Sequence, residues 1–172
     1  PDMRHRMEHC YNITAAQLKK AKNLGMGIQF FTPQIYYYGD AHLRLQGPTR
    51  AHQITPTGTA SRIGTSWGFH NDPPGTPQLP WIGAWATVQR LTESGVVLGP
   101  EQRVSVEKVL QTMTLEHAYQ MHVDHEVGSI EFGKKADFCV LEADPLTIDP
   151  MELKDMPVWG TIFGGLPNPV KS

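Results

Sequence analysis

Apolar and polar positions change period several times along the chain, and each change marks an element. Residues 3–10 (MRHRMEHC) read as a short strand with His5, Met7 and His9 on one face. Residues 14–24 (TAAQLKKAKNL) shift to helical spacing, with Thr14 placed as N-cap and Gly25 just past the end. Residues 28–32 (IQFFT) form an apolar run ended by Pro33, which predicts a buried strand. Strand, helix and strand in that order predict a parallel α/β unit.

Residues 33–50 (PQIYYYGDAHLRLQGPTR) show no clean period and read as a long aromatic loop. A short strand over 51–55 and a short helix over 56–62, with proline in its first turn, follow. Residues 65–71 (TSWGFHN) predict another strand, ending at Asp72-Pro73-Pro74. Helical stripes recur over 80–92, through Trp81, Ala84, Trp85 and Val88, and over 105–121, with Ser105 at its start. Beyond residue 125 the chain becomes turn-rich, with short strands at 138–141 and 158–163. The expected organisation is an α/β part over 1–125 and a small β subdomain over 126–172.

Composition narrows the function classes. The chain is 40% hydrophobic and 19% charged, as globular chains are. A net charge of -2 without a basic stripe argues against nucleic acid or an anionic membrane as partner. No apolar run approaches the ~18 residues of a membrane span. Cys10 and Cys139 form no CxxC pair, which points to a reducing compartment, with the cytoplasm as default. Nucleophile-elbow, P-loop and complete dinucleotide-binding motifs do not occur.

In a parallel α/β barrel, chemistry sits at the C-terminal ends of the strands. His9 and Asp72 both fall at such ends. Imidazole and carboxylate are ligands that a catalytic Zn²⁺ accepts while keeping a position open for water. The plainer readings are a hydrogen-bonded structural histidine and a turn aspartate before two prolines. His70, two residues before Asp72, shares its face if the strand continues and is then expected at the same mouth; the equal alternative is a ring packed beside Trp67. Gln34, Tyr36 and Trp67 are the other candidates for substrate contact.

Three patches in order then resemble the amidohydrolase superfamily, specifically its amidohydrolase-3 branch, which includes the N-substituted formamide deformylases. They are Arg4-His5-Arg6-Met7-Glu8-His9, His70-Asn71-Asp72-Pro73-Pro74, and residues 128–138 (GSIEFGKKADF) with Asp144-Pro145. The resemblance implies the C-terminal half of a TIM-like (β/α)8 barrel followed by a small β subdomain. It implies that His9 is a strand-five metal ligand and that Asp72, on strand eight, is a ligand or the catalytic base. It further implies a divalent metal, zinc by expectation, and hydrolysis of a carbon–nitrogen bond in a small amide- or formamide-like substrate. The branch's strand-one HxH pair and strand-four lysine do not occur, and Thr32-Pro33-Gln34-Ile35 stands where strand six would supply a histidine. The chain is therefore expected to be inactive alone and to need an N-terminal portion or a second copy of itself. The rival expectation is a non-catalytic remnant or binding scaffold without a metal site.

Overall fold

Local signals set the first elements of the fold, which a computed structural model describes for residues 2–170. Thr14 caps helix α1 (Ala15–Asn23) as predicted: its hydroxyl accepts the Gln17 amide, and its own amide donates to the Gln17 side chain. Gly25 leaves the helix with a φ of +66°, a conformation that costs glycine little. The next strand, β2 (Gly27–Phe31), is buried along its whole length.

β2 is the middle of a three-stranded parallel sheet in the order β1 (Arg6–Met7), β2, β3 (Trp67–His70). The register aligns Met7 with Ile28, Ile28 with Trp67, and Phe31 with His70. Alternation splits the sheet into two faces. Met7, Ile28, Phe30, Trp67 and Phe69 lie on one of them and join the core, in which Leu18 of α1, Ala60 of a later helix and Ala84 to Ala86 of another are also buried. Gln29, Phe31, Gly68 and His70 lie on the opposite face.

Two expectations for the middle of the chain are corrected. Residues 33–50 are helical: α2 spans Gln34–Gln46 and α3 spans Pro48–Ala51. Ile35 and Gly39 are buried and Leu43 packs on a small second core of Ala51, Ile54 and Leu98, a stripe at i, i+4 and i+8. The run Tyr36-Tyr37-Tyr38 hides that stripe in the sequence, because all three residues look equally apolar. Residues 51–55 are not a strand but the end of α3 and a turn, after which α4 (Thr57–Ile63) leads into β3.

The strand count changes in consequence. β2 pairs directly with β3, so the three strands are consecutive neighbours. If the strand before Asp72 is the eighth of a barrel, β2 is the seventh, and His9 ends the sixth rather than the fifth. Among the described residues the sheet holds three barrel-type strands, fewer than the half expected.

Helix α5 (Pro80–Gln89) covers the apolar face of the sheet. The helix expected over 105–121 forms as α6 (Val106–Gln111), one π turn (Thr112–Glu116) and α7 (His117–Gln120) without a break. Ser105 caps it by accepting the Lys108 amide at 3.1 Å. The tail is an antiparallel sheet of β4 (Phe138–Leu141), β5 (Val158–Phe163) and β6 (Leu166–Pro169). β6 carries two prolines, which fit an edge strand because they need donate nothing to a neighbour. The tail is not wholly separate, since Leu153 and Met156 are buried in the main core. Among the described residues no helix is long and apolar enough to cross a membrane.

Candidate active site

β1 and β3 flank β2 and end at the same side of the sheet, and the residues that follow them deliver the chemistry. His9 follows β1 with a φ of +65°, and Asp72 follows β3 with a φ of +53°. Both are left-handed positions that a non-glycine residue holds only at a cost. The turn brings the His9 Nε2 to 3.1 Å from the Asp72 Oδ2. His70 stands with them: its ring is 4.6 Å from that of His9, and ligand atoms of His9, His70 and Asp72 all lie within 4.8 Å of one another.

Burial holds the His70 ring below its ordinary pKa, and the neighbouring His9 pushes it the same way, so it is neutral at pH 7. Its Nε2 is buried and meets no hydrogen-bond partner. A polar atom of that kind signals a missing ligand or water. Phe31 stacks on His70 at 5.6 Å, and Tyr38 lies 6.1 Å beyond Phe31. The Tyr38 hydroxyl donates to the Gly75 carbonyl at 2.8 Å, which ties α2 to the loop carrying Asp72.

A second set of bonds ties down the loop after His9. The Thr55 amide donates to the Tyr11 carbonyl at 2.6 Å. The Thr55 hydroxyl accepts the Gln34 side-chain amide at 2.9 Å. Arg90, wholly buried, donates to the carbonyls of Thr55 at 2.8 Å, of Ile54 at 2.7 Å and of Leu98. Loss of water lowers its pKa to about 10, so it remains charged at neutral pH.

The predicted site residues therefore divide. His9, Asp72 and His70 come together. Gln34 does not face the mouth, because it is buried on α2 and committed to Thr55. Tyr36 turns inward and packs edge-on against Trp85 at 5.4 Å. Trp67 is fully buried, and its indole N–H donates to the Ser61 hydroxyl at 3.0 Å. Its parity on β3 is opposite to that of His70, so it belongs to the core rather than to a substrate wall. Phe31 and Tyr38 are the aromatic residues beside the cluster. Phe31 was findable by parity once β2 and β3 were aligned; Tyr38 was not, because its helix was not foreseen.

The donor set suits a divalent cation: two imidazoles and a carboxylate, neutral His70, and spacings that a single ion can bridge. Comparison with known proteins agrees with this chemistry. The family model described as "Amidohydrolase family" matches residues 1–167. The chain belongs to the amidohydrolase family. It is 26% identical over 162 residues to the N-substituted formamide deformylase of Arthrobacter pascens, a match covering 94% of this chain and 30% of that protein. Among solved structures it is similar to an uncharacterised metal-dependent hydrolase from Pyrococcus furiosus, with a TM-score of 0.68, 29% identity, 83% of this chain and 29% of that one. A second, from Pyrococcus horikoshii, gives a TM-score of 0.72 at 24% identity and covers 84% of this chain and 30% of that one. The chain thus spans about 30% of the length of these relatives.

Proposed function

We propose that this chain carries part of the active site of a metal-dependent hydrolase that cleaves a carbon–nitrogen bond of a small amide- or formamide-like substrate. The observation that carries the reading is the convergence of His9, His70 and Asp72 from two strand ends in a family of hydrolases. His9, Asp72 and His70 would hold the ion, with zinc as the expected metal. When bound, that ion polarises an amide carbonyl and lowers the pKa of water. Asp72, whose carboxylate is half-exposed, would take a proton from the attacking water and return it to the leaving nitrogen. Phe31 and Tyr38 wall one side and favour an apolar substituent on the substrate.

Among the described residues no further strand pairs with β1 or β3, and the relatives are more than three times as long as the stretch matched. The same reading therefore includes a partner: a further α/β portion of the kind that makes up the rest of the relatives' length, adding strands to this sheet. A barrel closes only when every edge is paired. Activity is expected from the joined parts rather than from this chain alone.

Zinc titration by calorimetry, with elemental analysis, tests the site. We expect about one ion per chain, and binding weakened at least tenfold in Asp72→Asn and in His9→Ala. No uptake by the wild-type chain or by its complex with the complementary portion would favour a scaffold without a metal. A second copy serving as partner would show as a dimer in sedimentation.

A further inference from the structure

The two faces of the parallel sheet are covered in different ways. Helices pack on the apolar face through the core, which the first half of the 106–120 helix joins through Val106, Val109 and Met113, whereas the second half of that helix meets the polar face through hydrogen bonds. Gln29 Nε2 donates to Gln120 Oε1 at 2.9 Å, Gln120 Nε2 donates to the Ser66 hydroxyl at 3.0 Å, and that hydroxyl donates to Glu116 Oε2 at 2.8 Å. Two glycines admit the helix. A Cβ on Gly68 would lie 2.4 Å from His117 Nε2, and one on Gly27 would lie 2.6 Å from the Gln120 side chain.

The most telling contact is at the edge of β3. Phe69 lies between residues whose amides serve the β2 side of the strand, so its own N–H points to the open side. There it donates to His117 Nε2 at 3.2 Å. In a wider sheet that donor would meet a carbonyl of the next strand. The bond requires Nε2 to be bare, so the ring proton sits on Nδ1, which is 3.4 Å from the Met113 carbonyl within the π turn. The Gln29 Oε1 lies 3.3 Å from the same Nε2. A protonated ring would donate to that oxygen and leave the Phe69 N–H without an acceptor.

We propose that the end of this helix, from the π turn to Gln120, is a releasable cover on the polar face of the sheet, with His117 standing in for a neighbouring strand at the edge of β3 and letting go when it is protonated. The π turn fits this role, since such turns interrupt the helical ladder. Burial is the main influence holding the ring neutral, and Arg6 on β1 acts in the same direction. Glu116, on the same helix, opposes it and is itself 3.6 Å from Lys108. β2 and β3 present no titratable side chain to the ring, only Gln29, Gly68 and Phe69. The inference does not depend on the metal reading.

A histidine whose folded pKa is depressed stabilises the fold above its unfolded value of about 6.5 and loses that contribution as pH falls below it. Amide hydrogen exchange of the full chain between pH 7.5 and 5, corrected for intrinsic rates, reads this directly at Phe69 and along the helix. We expect the wild-type opening constant to rise with falling pH by up to about tenfold per unit more than that of His117→Gln, whose side-chain oxygen accepts at every pH. Gly68→Ala should open the same segment at pH 7.5. Parallel pH profiles for wild type and His117→Gln would overturn the proposal. If the variant does not fold, the ring ¹⁵N shifts of wild-type His117 decide: a proton on Nδ1 at neutral pH supports it, and a proton on Nε2 overturns it.

Discussion

His9, Thr55 and Asp72 adopt left-handed backbone although none is glycine, and all three lie at or behind the histidine–aspartate cluster. Such positions cost of order 1–3 kcal/mol each and persist where surrounding bonds hold them. At Thr55 the bonds are explicit: its amide, carbonyl and hydroxyl are all engaged. At His9 the side chain is half-exposed, so little packing offsets the strain. His9→Gly should therefore leave the melting temperature unchanged or raise stability by about 1 kcal/mol while abolishing zinc uptake. Arg90 is the opposite case. Arg90→Met would strand the carbonyls of Ile54, Thr55 and Leu98 in the interior, and we expect a loss of about 3 kcal/mol in urea unfolding.

Elements whose signals are local were legible. α1 needed only Thr14, Gln17 and Gly25, and its ends lie where the sequence placed them. Thr14→Ala should cost about 1 kcal/mol, measured by thermal melting, without disturbing the candidate site. β2 and β3 were legible from apolar runs, and β4 and β5 likewise. α2 was not, because its buried stripe of Ile35, Gly39 and Leu43 runs beneath three tyrosines and includes a glycine. Gly39 is there because a Cβ would meet the Thr92 side chain at 2.5 Å. β1 is shorter than its alternating pattern, since His9 turns out of the extended conformation two residues after Met7. Trp67→Ala would remove a fully buried ring packed 6.0 Å from Phe30, and a loss of about 3–5 kcal/mol is expected.

At the scale of the molecule, a core formed around three strands leaves apolar surface unpaired. In the tail, Ile130, Phe132, Phe163 and Leu166 are largely exposed. Beside β1, a cleft is lined by Met7, Cys10, Ile13, Ala21, Leu24 and Met26. Surfaces of this kind are expected to be covered when the complementary portion adds to the sheet. Mixing the chain with that portion should raise its melting temperature and protect from exchange the Arg6 amide, which the β1–β2 register points away from β2.

By itself the sequence determined the alternation of strand and helix, the capped helix, the two strand ends and the family-like patches that carry His9 and Asp72. These depend on periodicity, capping and short motifs, which act over a few residues. Tertiary structure alone decided that no strand separates β2 from β3, that Gln34, Tyr36 and Trp67 turn away from the cluster, and that His117 takes the edge of β3. Those outcomes rest on register and on which face a helix covers, and both are set by contacts between residues tens of positions apart.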